Sequence, residues 1–155
     1  AAAIGTARAV EWRQADAMRL PFIDEVFDVV VCQFGVMFFP DKAVAMAEAR
    51  RVLRPGGTFI FNVWDRIEQN DFAEAVTAAL AEVFLGDPPR FLARTPYGYH
   101  DQAAIGRDLV HGGFTTLATF DTVTRLSVAD SSRIPAIAYC QGTPPPGTRS
   151  SLAAP

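Results

Sequence analysis

The sequence predicts an α/β fold, a mostly parallel sheet with helices on its faces, and three observations carry that prediction. "FDVVVCQF" (27–34) and "TFIFNVW" (58–64) are nearly continuous apolar runs rich in β-branched and aromatic residues. Such runs fit strands covered on both faces, as in a parallel sheet. Between them lies a helical segment opened at Pro40–Asp41 and closed at Pro55. Strand, helix and strand in that order make a βαβ unit, for which a right-handed crossover is the rule. At 155 residues the chain has the size of one domain, enough to bury roughly 70% of its unfolded surface.

The elements follow in order. Residues 8–15 (RAVEWRQA) suit a short strand with Val10 and Trp12 on one face. "MRLPFID" makes a loop, because Pro21 disfavours helix at Leu20. Asp41 is placed to cap the helix, whose apolar face is read as Val44, Ala45, Ala49, Val52 and Leu53. Arg50, Arg51 and Arg54 suit the negative end of its dipole. Pro55 stops it and Gly56–Gly57 supply a reversal. Residues 70–84 read as an amphipathic helix with Phe72, Val76, Leu80 and Val83 at helical spacing. After the loop "LGDPPRFLARTPYGYH", residues 101–111 form a helix opened by Asp101 and stopped by Gly112–Gly113. "FTTLATFDTVTRLSV" (114–128) alternates as a longer strand, and 130–140 is a last helix. The remainder, "GTPPPGTRSSLAAP", has no periodicity, so the expectation is one domain over 1–140 and a disordered tail over 141–155.

Composition narrows the function. The net charge is −3 and the acids are scattered, so no basic field is offered to nucleic acid. Cys32 and Cys140 lack CxxC or metal-ligand spacing and read as reduced cysteines of a cytoplasmic protein. No apolar run approaches the ~18 residues of a membrane span. Asp24, Glu25 and Asp28 form an acidic turn without the spacing of a metal loop.

In open α/β sheets ligands lie beyond the carboxyl ends of the strands. Asp16 and Ala17 occupy that place for the first strand, Gln33 and Phe34 for the second. On its own, Asp16 is either a solvated strand-end carboxylate or one that holds a ligand. "TPYGYHD" sets Tyr97, Tyr99 and His100 before a helix. A lone histidine beside a cap is more often structural than catalytic, and His111 suits a C-terminal dipole partner.

"WRQADAMRLPF", "FDVVVCQFGVMFFPD" and "EARRVLRPGGTFIFNVW", in this order and spacing, resemble the second half of a class I methyltransferase that uses S-adenosylmethionine. The similarity points to the small-molecule branch that includes the ubiquinone and menaquinone C-methyltransferases. It implies an incomplete Rossmann-like fold and S-adenosylmethionine as cofactor. It also implies that Asp16 accepts a hydrogen bond from the adenine amino group, that the Ala17 amide donates to a ring nitrogen, and that Met18 packs on the adenine face. Gln33 and Phe34 would face the methionine half, where Phe34, Met37 and Phe38 make an apolar wall; Met37, Phe38, Tyr97 and His100 become candidates for the substrate pocket. Methyl transfer needs in-line positioning more than acid–base machinery, which agrees with the lack of a convincing triad.

The resemblance further implies strand order 3-2-1-4-5-7-6, of which this sequence holds the equivalents of 3, 4, 5 and 6. The glycine-rich loop and the ribose-binding acid have no counterpart in it, and the proline-rich end looks like a truncation or a shifted frame. Unpaired edges on apolar strands predict self-association. The implied activity is methyl transfer to a small, apolar or aromatic acceptor, impaired in this chain. The alternative is a non-catalytic fragment that acts through folding or association with a partner.

Overall fold

The computed structural model describes residues 10–115, 118–126 and 128–142. Its centre is the βαβ unit. β1 (Phe27–Gln33) pairs in parallel with β2 (Leu53–Asn62), and α1 (Lys42–Val52) makes the crossover. From Val29↔Thr58 to Gln33↔Asn62 the register is unbroken; before it, Arg54–Gly57 bulge out between the pairs Phe27↔Leu53 and Val29↔Thr58. Gly56 has φ +79°, the left-handed conformation that this reversal requires. The strand therefore starts earlier than the motif suggests, directly at the end of α1.

Asp41 caps α1, accepting the Val44 N–H at 3.0 Å. The helix buries Ala45, Met46, Ala49 and Val52. Val44, expected on the apolar face, points outward instead, and Met46 takes the buried place. α2 (Asp71–Val83), α3 (Phe91–Arg94), α4 (Gln102–His111) and α5 (Arg133–Gly142) follow. Asp101 caps α4 through the Ala103 N–H at 2.8 Å. At the other end the amides of Gly113 and Phe114 return to Val110 and Leu109, with Gly113 at φ +86°. Of the apolar stripe expected on α2, Val76 and Leu80 are half-buried, whereas Phe72 and Val83 are exposed.

The core lies between α1, α4 and one face of the sheet. Val36, Met37, Met46, Tyr99, Ile105 and Leu109 form it, with Cys32, Phe59, Phe61 and Phe114 packed against it. Here the expectation of strands covered on both faces is corrected: Val29, Val31 and Ile60 are 51%, 65% and 52% exposed, so among the described residues nothing covers the second face. Both further strands are corrected too. Residues 10–15 join no ladder, and only an isolated bridge, Asp16↔Arg19, follows them. Residues 118–126 are likewise not strand. The physical reason is common to both. An alternating segment becomes a strand only where a neighbour offers its N–H and C=O groups, and among the described residues none does. The segment expected to be disordered lies, from residue 143 onward, outside the described residues. No helix of the described residues is long and apolar enough to cross a membrane.

α1 and α4 approach closely where Gly112 meets Met46. A Cβ on Gly112 would lie 2.6 Å from the Met46 Cβ and 3.1 Å from the Ala47 amide nitrogen. Urea unfolding of Gly112→Ala should show a loss of about 1–3 kcal/mol from overpacking. Met46→Ala should lose about 2–5 kcal/mol by leaving a cavity. Met46→Ala keeps the Cβ and the backbone atoms that the new methyl meets, so the double variant should lose about the sum of the two.

Candidate functional site at the carboxyl end of the sheet

Parallel pairing sets the carboxyl ends of β1 and β2 side by side. One residue beyond the last rung, the Asn62 Oδ1 accepts the Phe34 N–H at 2.9 Å. Phe34 has φ +51°, a conformation costly for a residue with a Cβ. That bond and the packing of its ring hold it there. The Phe34 ring stacks on Trp64 with centroids 4.3 Å apart and planes 18° apart, and Trp64 in turn lies 5.9 Å from Tyr97. The Tyr97 hydroxyl sits 3.0 Å from that of Tyr139 on α5. Burial, reinforced by the hydrogen bond to Tyr139, pushes the Tyr97 phenol well above its ordinary range, so it stays neutral. Beneath this row the turn closes on Cys32: a Cβ at Gly35 would meet the Cys32 Sγ at 2.7 Å. Burial raises that thiol, against the Gly35 and Val36 amides, and makes it a packing group rather than a nucleophile.

Next to the aromatic row is a polar cleft of about 400 Å³, lined by Asp65, Arg66, His100, Asp101 and Gln102. The chain leaving β2 provides the first two and the entry to α4 the other three. His100 Nδ1 lies 2.9 Å from the Tyr97 carbonyl oxygen. Asp65 accepts the Arg66 N–H at 2.7 Å and Asp101 the Ala103 N–H at 2.8 Å, which fixes both carboxylates.

Asp16 opens a tight turn. Its Oδ1 accepts the Met18 N–H at 2.9 Å and its carbonyl accepts the Arg19 N–H at 3.0 Å. Asp16 is exposed and Ala17 and Met18 half-buried. The second carboxylate oxygen, and the Ala17 N–H, have no partner among the described residues. An acceptor and a donor one residue apart are the set that an aminopurine edge needs, so this turn fits the adenine end of S-adenosylmethionine.

Two residues of α1 hold the loop after this turn. Glu48 Oε2 accepts the Leu20 N–H at 2.8 Å. Arg51 donates to the carbonyls of Leu20 (3.1 Å) and Phe22 (2.8 Å), to Asp24 (2.7 Å) and to both oxygens of Glu48 (2.7 and 2.8 Å). The hydrogen bond from Arg51 is the main cause that holds the Glu48 carboxyl below the usual range, against the penalty of burial. Glu48 and then Asp24 raise the guanidinium correspondingly.

The structure thus brings Phe34, Tyr97 and His100 to one edge. It places Gln33 exposed at the end of β1, Met37 in the core at 3% exposure and Phe38 half in solvent at 52%, so the three-residue apolar wall does not form. Its cause is the 3-10 turn Val36–Phe38, which rolls Met37 inward and Phe38 outward. Asn62, Trp64, Asp65 and Arg66 are absent from the sequence-based candidates. Their signal is the one that marks Gln33 and Phe34: they stand at and just past the carboxyl end of a strand, in "TFIFNVWDR".

Residues 1–61 match the model of the methyltransferase domain family. The ubiquinone/menaquinone biosynthesis C-methyltransferase UbiE of Cupriavidus necator is 35% identical over 114 residues, which is 68% of this chain and 47% of that protein. The demethylmenaquinone methyltransferase of Mycolicibacterium paratuberculosis is 34% identical over 121 residues, 72% of this chain and 53% of its own. An uncharacterized Mycobacterium tuberculosis protein is 46% identical over 55 residues, covering 36% of this chain and 20% of its own. No solved structure matches the chain. The fold and these relatives support one class: an α/β, Rossmann-like methyltransferase unit. Within that class the chain is similar to the class I methyltransferases of the UbiE-like branch, and it spans about half the length of the curated relatives it matches.

The clamp on the loop has a pH dependence of definite sign. A carboxyl depressed in the folded chain stabilises it above its unfolded pKa, and the stabilisation fades as pH falls through the folded value. Hydrogen exchange should find the Leu20 amide protected at neutral pH and released on acidification below the ordinary glutamate pKa of about 4.3. Glu48→Ala should expose it at neutral pH, with exchange roughly tenfold faster.

Proposed function

We propose that this chain serves methyl transfer from S-adenosylmethionine to a small-molecule acceptor. The observation that carries the reading is the Asp16–Met18 turn, with an open carboxylate oxygen and an open amide next to each other, on a chain of methyltransferase lineage. When bound, the cofactor supplies an electrophilic methyl group on a sulfonium. The chain's own residues do the rest. Asp16 accepts from the adenine amino group, Ala17 N–H donates to the ring, and Met18 lies against its face. Glu48 and Arg51 keep the following loop in place. Gln33 and Phe34 stand at the end of β1, where the methionine half would lie, and Asn62 fixes the Phe34 backbone. The row Phe34–Trp64–Tyr97 forms the apolar side of the acceptor site.

Calorimetry of S-adenosylmethionine and S-adenosylhomocysteine against the 155-residue chain is the test. Loss of the charge-assisted bond in Asp16→Ala should weaken binding roughly ten- to a hundredfold. A folded chain that binds neither ligand at millimolar concentration refutes the reading. A second reading, a non-catalytic unit that associates with itself or a partner, is favoured by the exposed Val29, Val31 and Ile60 on a sheet whose two edges are open among the described residues. Under it, sedimentation would show mass rising with concentration and no response to the cofactor.

A further inference from the structure

We propose that the cleft between the end of β2 and the start of α4 is the acceptor subsite, that its ligand is a small hydroxyl-bearing molecule, and that His100 takes the hydroxyl proton. This rests on the methyl-transfer reading and names the substrate class and the base. A backbone carbonyl can only accept, so the 2.9 Å contact with the Tyr97 oxygen puts the proton of neutral His100 on Nδ1. Nε2 then carries the lone pair. Among the described residues it has no partner, and His100 lines the cleft. Tyr97, whose backbone carbonyl is the anchor, has its side chain fixed by Trp64 and Tyr139. The imidazole is thereby held at one nitrogen and open at the other, as a general base must be.

The lining chooses the ligand. Asp65, Arg66, Asp101 and Gln102 line the cleft together with His100, which the Tyr97 carbonyl contacts. An apolar acceptor would strip water from all of them without return. A hydroxylated one can donate to a carboxylate or to Nε2 and accept from Arg66 or Gln102. In the reaction, His100 Nε2 takes the proton as the acceptor oxygen forms its bond to the methyl carbon. The sulfur–methyl bond breaks and its electron pair stays on the sulfur. The imidazolium returns the proton to water.

The probe is 4-nitrophenol, whose ionised form absorbs in the visible. The folded chain should bind it and lower its apparent ionisation pH by about one unit, a tenfold shift in equilibrium. His100→Gln and His100→Asn, the latter keeping a donor for the Tyr97 carbonyl, should bind it without that shift. His111→Gln should behave as the parent chain. Nitrogen-15 spectra resolve the two histidines and should show His100 with its proton on Nδ1. An Nε2–H tautomer, no binding, or an unchanged shift in both folded His100 variants each overturns the proposal. The cofactor calorimetry reads the Asp16 turn separately, so failure of the cleft and failure of the methyl-transfer reading are told apart.

Discussion

Parallel pairing of β1 with β2 is the interaction on which the other features depend. Two parallel neighbours must be joined by a crossover, and here α1 begins nine residues after β1 and ends directly before β2. The same pairing brings Gln33 opposite Asn62, so that whatever follows each strand is forced to one edge. Phe34, Trp64 and the cleft residues Asp65 and Arg66 meet Tyr97 and His100 there because of backbone geometry, before any side-chain contact is considered. α1 has a second task. One face carries Met46 into the core against α4, while Glu48 and Arg51 reach the other way and fasten the loop after Asp16.

Much of this was legible in the sequence, and what was not failed for identifiable reasons. Continuous apolar runs bounded by Pro, Gly and Asp specify β1 and the start of α1 closely, where the boundary is a local effect such as the cap at Asp41; β2 begins five residues before its apolar run, because Leu53–Gly57 are drawn into the ladder through a bulge with a left-handed Gly56. Residues 10–15 and 118–126 have the alternation of strands and form none, because a ladder needs a partner and alternation does not supply one. Met37 and Phe38 show the same limit on a smaller scale. Both are apolar residues past a strand end, and only the 3-10 turn decides which of them is buried. The cleft was hidden for another reason: its two halves are 34 residues apart in the chain (Asp65 to His100, counting those between) and no pattern in either half implies the other.

The site divides into parts of different robustness. The Asp16 turn is exposed and local, held by two hydrogen bonds of its own and by the clamp from α1. The aromatic row is built across four segments, from the end of β1 to α5, and its two tyrosine hydroxyls pair with each other. A change in the first alters one contact with a ligand. A change in the second alters the shape of the whole edge.

The two tryptophans of the chain have an optical consequence. Trp12 is 84% exposed in a segment without a ladder, whereas Trp64 is 38% exposed and lies flat against Phe34. The first indole emits as a water-bathed fluorophore and the second as a partly shielded one. Removing Trp12 leaves emission from one indole seated between the β1 end and the cleft, so the molecule carries its own built-in lamp at the place where its chemistry is to be watched.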